Sequence, residues 1–205
     1  MKYRLMLIVI VALLLAGCSE RTNEEVFYDA QKKIVNLDTY MCTAQITVYG
    51  NKSPQNYTAK HWFAAPDKYR IEVEAPENLK GKVTIYNGKR AWTCHPRIGQ
   101  EWLMENFTAS PEQKMFLGYF INNFVNTENV KLTKEVMDEN EYILLQTEIP
   151  GNHPYFSKEK LWFDIEKYYP YRLQVLDVDE NVRIDVKYKN FRYNEKVDNR
   201  IFTIE

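Results

Sequence analysis

The side chains able to do chemistry in this chain are few and scattered. The three histidines, His61, His95 and His153, lack the His-x-x-x-His spacing of a metal pair. His61 falls in an alternating strand pattern, and the other two stand beside Pro96 and Pro154 in turn-like sequence, so all three read as surface histidines. Asp164 and Glu166 flank Ile165 and could share a strand face, as paired acids do in glycoside hydrolysis. A solvated strand end is the plainer reading. No Gly-x-Ser-x-Gly elbow, phosphate-binding loop or Gly-rich dinucleotide turn occurs, and the whole chain holds 7 glycines. No nucleophile, base or metal set can be assembled. The sequence therefore assigns no catalytic residue, no cofactor and no metal. Cys42 and Cys94 are open to two readings, a disulfide in an oxidising compartment or two small buried apolar residues. Only geometry decides between them.

Cys18 is different, because its neighbours specify a reaction. The chain opens Met1-Lys2-Tyr3-Arg4, runs apolar from Leu5 to Ala16, and ends that run Leu15-Ala16-Gly17-Cys18. The run is shorter than the ~20 residues a spanning helix needs. A basic start, a short apolar stretch and small residues at the cut describe a secretory signal. The Leu-Ala-Gly-Cys ending resembles the lipobox of bacterial lipoproteins, which implies diacylglycerol on the Cys18 thiol and cleavage before it. Two acyl chains hold a protein stably at a membrane where one does not. The expected organisation is a signal peptide over 1–17, a lipidated terminus and polar linker over 18–25, and one folded domain over 26–205. The polypeptide would be tethered by lipid on the extracytoplasmic face.

The chain carries 27 basic and 28 acidic residues, and removing the signal takes away Lys2 and Arg4. So mild and mixed a charge points to no nucleic-acid partner. Abundant Asn, Lys, Ile and Tyr suggest AT-rich codons and a low-GC bacterium.

The elements that must position any site follow from periodicity. Val26, Phe27, Ala30, Ile34 and Leu37 fall at intervals of three and four, one face of an amphipathic helix with Asn23 as its cap. After Thr39 the period becomes two, through Cys42, Ala44, Ile46 and Val48. Further strands are expected at Tyr57–Phe63, around Tyr69, Ile71 and Val73, and at Val83–Tyr86. Asn87-Gly88 then marks a two-residue hairpin, with return strands near Trp92 and Trp102. Ser110-Pro111-Glu112 reads as the start of a second helix, with Met115, Phe116, Tyr119, Phe120 and Phe124 on one side. Strands are expected again at 129–136, 142–148, 159–165, 171–177 and 182–192, with a short last one near 200–204. Pro150-Gly151-Asn152-His153-Pro154 reads as a loop, and Asp179-Glu180-Asn181 as a hairpin turn. The sum is an α+β domain of about eleven mostly antiparallel strands and two helices.

Aromatic residues are plentiful, with 4 Trp, 15 Tyr and 10 Phe. Their alternation on strands places most of them on one side of a sheet. They make either an ordinary core or an apolar groove for an acyl chain or a partner segment.

Two stretches resemble the LolA/LolB-like lipoprotein-carrier superfamily. One is Trp62-Phe63-Ala64-Ala65-Pro66-Asp67-Lys68-Tyr69-Arg70-Ile71-Glu72 with Ile85-Tyr86-Asn87-Gly88-Lys89-Arg90-Ala91-Trp92. The other runs from Leu161-Trp162-Phe163-Asp164 through Pro170-Tyr171-Arg172-Leu173 to Asn190-Phe191 and Phe202. The resemblance implies a strongly curved antiparallel half-barrel with two helices on its concave side, the Met115-to-Phe124 helix as a plug. A narrower resemblance joins the lipobox with Asn23-Glu24-Glu25-Val26-Phe27-Tyr28-Asp29-Ala30, Asn51-Lys52-Ser53-Pro54-Gln55-Asn56-Tyr57 and Glu77-Asn78-Leu79-Lys80-Gly81-Lys82. Those stretches are similar to the GerS-like germination lipoproteins of spore-forming clostridia. That family implies a non-enzymatic partner of a cortex N-acetylmuramoyl-L-alanine amidase, needed for muramic-δ-lactam in spore cortex peptidoglycan. It also implies a place between the forespore membranes. The wider superfamily implies instead a lipid or lipoprotein carrier or acceptor. Unpaired strand edges of an open half-barrel would also allow a homodimer.

Overall fold

The two-residue periodicity resolves into eleven antiparallel strands in a single sheet. The computed structural model describes residues 22–105, 107, 111–127 and 129–204. Cys18, the signal segment and Ser110 lie outside the described residues. The first meander holds β1 (Thr39–Val48), β2 (Gln55–Ala64), β3 (Lys68–Ala75), β4 (Val83–Tyr86), β5 (Ala91–His95) and β6 (Gln100–Met104). The second holds β7 (Lys131–Met137), β8 (Asn140–His153), β9 (Phe156–Asp164), β10 (Tyr169–Leu176) and β11 (Val182–Tyr193). The order across the sheet is β6-β5-β4-β3-β2-β1-β11-β10-β9-β8-β7. Each meander is thus local, and β1 pairing with β11 joins them, as in Ala44 opposite Tyr188. Strands β6 and β7 follow one another in sequence yet form the two opposite edges.

The helix α1 (Asn23–Val35) begins where a side chain satisfies its orphan N–H groups. Thr22 Oγ1 accepts from the Glu25 N–H, and Glu25 Oε2 accepts from the Thr22 N–H. This reciprocal capping box puts the cap one residue before the expected Asn23, and residues 23–25 are helical rather than linker. The far end of α1 is tied to the last strand. Asn194 Oδ1 accepts from the backbone of Asp38 and Thr39, and its Nδ2 donates to the Asn36 carbonyl.

The second helix differs at its start. Residues Pro111–Met115 form a 3-10 turn, and α2 (Leu117–Asn126) begins only after Phe116. The aromatic stripe is kept: Phe116, Phe120 and Phe124 are buried. Together with Ala30 and Ile34 of α1 they share one core with Tyr40, Phe63, Ile143, Leu145, Leu161, Phe163, Leu173 and Val186 of the sheet. Both helices therefore cover the same face. Full burial of one such aromatic side chain contributes about 1.5–3 kcal/mol.

The aromatics do not all share that face. Trp62 and Trp92 pack on the opposite side with Ile85, Phe202 and Ile204, and Trp162 packs there with Tyr142 and Leu144. Most aromatics keep to the helix-covered face, as expected, and Trp62 and Trp162 lie opposite because they alternate out of phase with Phe63 and Phe163.

Three local readings are corrected. Asn87-Gly88 opens a four-residue loop, since Asn87 Oδ1 caps the N–H groups of Lys89 and Arg90 and widens the turn. Residues 150–153 continue β8 rather than forming a loop, with a register break between Glu148 and His153. Residues Asn199–Phe202 form a 3-10 turn instead of a strand, begun by Asp198, whose carboxylate accepts from the Arg200 N–H. The turn at 179–181 stands, with Asp177 Oδ1 accepting from the N–H of Asp179 and of Asn181.

Candidate functional site

The residues with catalytic potential are scattered through the fold rather than gathered at one site. His61 is a correction: it is fully buried on the helix-facing side of β2, not on the surface. Its ring stacks on Phe116 at 4.6 Å, and neither ring nitrogen has a hydrogen-bond partner. Burial pushes its pKa down to about 3, so near neutrality it is an uncharged aromatic plate. His95 is buried at the end of β5, and His153 is exposed. Asp164 closes a turn, its Oδ1 accepting from the N–H of Glu166 and of Lys167. It does not pair with Glu166 as a second acid. Cys42 and Cys94 are free. They sit on β1 and β5, four strand spacings or roughly 19 Å apart, and Cys42 is buried where desolvation holds its thiol well above the ordinary range. Among the described residues, no three His, Cys, Asp or Glu side chains come together as metal ligands do.

Among the described residues, two apolar surfaces stand out as able to receive another molecule. The first is a cavity of about 280 Å³ between the sheet and the 3-10 turn before α2. Ile46, Val48, Ile71, Val73 and Met115 make it apolar, and Lys82 also lines it. It falls just below the ~300–1,000 Å³ of pockets that enclose a drug-sized ligand. It has room for an apolar segment, such as part of an acyl chain or a side chain of a partner. The second is the edge at β6, which pairs with no further strand among the described residues. Trp102 and Leu103 leave 45% and 49% of their surfaces exposed, and Ile98 just before the strand leaves 57%. An edge strand presents unpaired N–H and C=O groups, and proteins usually blunt such edges with charge. Here Glu101 and Glu105 alone interrupt the apolar row of residues 101–105.

A third feature belongs to no motif. Glu159 on β9 is fully buried, and so is Asn123 on α2, whose Nδ2 donates to Glu159 Oε2 at 2.9 Å. Burial raises the Glu159 pKa to about 8, against the opposing pull of the Asn123 bond and of Lys114. Two signals mark this pair in the sequence. Glu159 is in phase with Leu161 and Phe163 on the inner face, and Asn123 lies three residues after Phe120 on the buried side of α2.

A family model described as sporulation protein YdcC-like matches residues 1–202. The chain belongs to the YdcC-like sporulation family. The sporulation protein YdcC of Bacillus subtilis (strain 168) is 19% identical over 195 residues, 95% of this chain and 57% of that one. The chain thus spans little more than half the length of that curated relative. Among solved structures, it matches the complex of the CwlD amidase from Clostridioides difficile with the GerS lipoprotein. That match is at 34% identity and a TM-score of 0.52, covering 87% of this chain and 99% of the matched one. Two more distant structures share the fold alone. An uncharacterized conserved protein from Thermus thermophilus is 15% identical with a TM-score of 0.55, covering 90% of this chain and 95% of its own. A putative outer membrane lipoprotein-sorting domain from Vibrio parahaemolyticus is 9% identical with a TM-score of 0.50, covering 87% and 94%. This member of the YdcC-like family is therefore a GerS-like sporulation protein, and it shares its fold with a lipoprotein-sorting domain.

Proposed function

We propose that the protein is a lipid-anchored, non-enzymatic accessory factor of sporulation. It binds a cortex N-acetylmuramoyl-L-alanine amidase, supports its activity and so enables muramic-δ-lactam formation in spore cortex peptidoglycan. The observation that carries this reading is 34% identity, across 99% of the matched chain, to a structure of the GerS lipoprotein with the CwlD amidase. The local chemistry agrees with it. The His61 ring is spent on packing and the Asp164 carboxylate on a turn, and a binding role asks no proton transfer of either. Cys18 would hold the domain at the membrane through its diacylglyceryl group, in the space between the forespore membranes.

Deleting the gene and analysing spore cortex tests the reading. Muramic-δ-lactam is expected to fall to background and germination to fail, with both restored by the wild-type gene. Complementation with residues 1–18 replaced by a signal peptide that is cut without lipidation separates tethering from binding: the amidase should still co-purify with the soluble domain, while the protein leaves the membrane fraction. Normal lactam in the deletion strain sinks the reading.

The apolar cavity supports a second reading, an anchored acceptor of acyl chains. A protein tethered by its own lipid cannot shuttle cargo, so an acceptor fits better than a carrier. Native mass spectrometry after mixing with phospholipid should then show one retained lipid. A bare protein mass rejects that role.

A further inference from the structure

Glu159 sits where an ionised side chain is hard to keep. Its β-strand neighbours across the sheet are Thr147 on β8 and Val175 on β10, and it shares its face with Leu161 and Phe163. One carboxyl oxygen is held by Asn123 of α2. The other, Oε1, is buried without a partner, and so is the Thr147 hydroxyl opposite. The titratable groups that face Glu159 are few. Lys114 approaches from the 3-10 turn before α2, Tyr119 from α2 itself and Tyr188 from β11, while β8 and β10 offer Thr147 and Val175. Lys114 does not form an ion pair with the acid: its ammonium lies over the Tyr119 and Phe156 rings, at 5.4 and 5.0 Å from their centroids. A buried carboxylate is tolerated when its lone pairs are all engaged. Here a single bond, on Oε2, is made and Oε1 accepts none, so the neutral acid is the form that fits.

We propose that Glu159 is a proton-controlled latch between β9 and α2, in which the neutral acid keeps α2 seated on the sheet and loss of its proton releases the helix. The ionised carboxylate would seek water, and the way to water is past α2. Release would bare the inner face of β8 and β9, including Ile143, Leu145, Leu161 and Phe163, which the helix covers. The direction follows from linkage. The folded state holds the Glu159 proton up to about pH 8, whereas an unfolded glutamate loses it near 4.5. The latch is therefore at full strength below the unfolded value. It weakens as pH rises through that window, by up to tenfold in the equilibrium constant per pH unit, and changes no further above the folded value.

Hydrogen exchange of the full-length protein in detergent, corrected for the intrinsic rate, tests the latch. Peptides covering 117–126 are expected to lose at least tenfold in protection between pH 6.5 and 8.5, while those of β1 and β2 hold theirs. Glu159→Gln should keep α2 protected across the same range. Equal pH profiles for wild type and Glu159→Gln overturn the proposal. So does a loss of protection spread evenly over the sheet.

Discussion

Gly118→Ala is expected to destabilise the protein by about 1–3 kcal/mol, although alanine is the better helix former by about 1 kcal/mol. Gly118 lies in the first turn of α2, directly against Phe63. A Cβ added there would stand 2.1 Å from Phe63 Cε2 and 2.3 Å from Cζ. The ring cannot easily yield, because Phe63 stacks on Tyr40 at 5.3 Å and Tyr40 on Phe191 at 5.2 Å. The Tyr40 hydroxyl in turn accepts the Leu117 N–H at 3.3 Å, so displacing this stack also disturbs the start of the helix. Urea denaturation would measure the loss. The same substitution in a Phe63→Ala background should become neutral or stabilising, because the clash is gone and propensity remains. Stabilisation by Gly118→Ala in the otherwise native chain would show that α2 does not lie this close to β2.

Phe120→Ala is expected to cost about 3–5 kcal/mol, the usual loss when a buried phenylalanine leaves a cavity. Phe120 is fully buried and stacks on Phe124 at 5.7 Å. A neighbour on the same helix supplies the contrast. Val125 keeps 51% of its surface exposed, and Val125→Ala should stay within about 0.5 kcal/mol. For a domain of this size the first change should lower the melting temperature by roughly 6–20 °C and the second by no more than about 2 °C. Similar shifts for the two variants would mean that α2 does not present its aromatic stripe to the sheet.

Most of the strands were legible because alternation survives wherever one face of a sheet is dry and the other wet. Cys42, Ala44 and Ile46 show it plainly. Turns were less legible, because a side chain decided them: Asn87 capped two N–H groups and turned an expected two-residue hairpin into a wider loop. The polar residues of the core were missed for another reason. His61 lies in phase with Ala59 and Phe63, and Glu159 with Leu161 and Phe163. Their positions pointed inward while their residue types suggested water, and position prevailed. The binding site was the least legible part. An edge such as β6 or a cavity such as that beside Met115 depends on what stays uncovered, which no local pattern encodes. The family likeness carried the functional reading further than any single residue did.

The seam between β1 and β11 also has a consequence for how the protein is made. Contacts there join distant parts of the chain; the Asp38 N–H reaches the Asn194 side chain, 156 residues away. Closing so long a loop is entropically costly, and folds dominated by such pairings assemble slowly. The two meanders can each form early from local hairpins, but the sheet stays in two halves, with the seam edges of β1 and β11 bare, until the last strand arrives. Because synthesis proceeds from the N-terminus, β11 is the last of the eleven described strands to emerge. Until then the half-made sheet would be a template for wrong pairing, so the yield of this protein should depend on what shields β1 while the cell waits for β11.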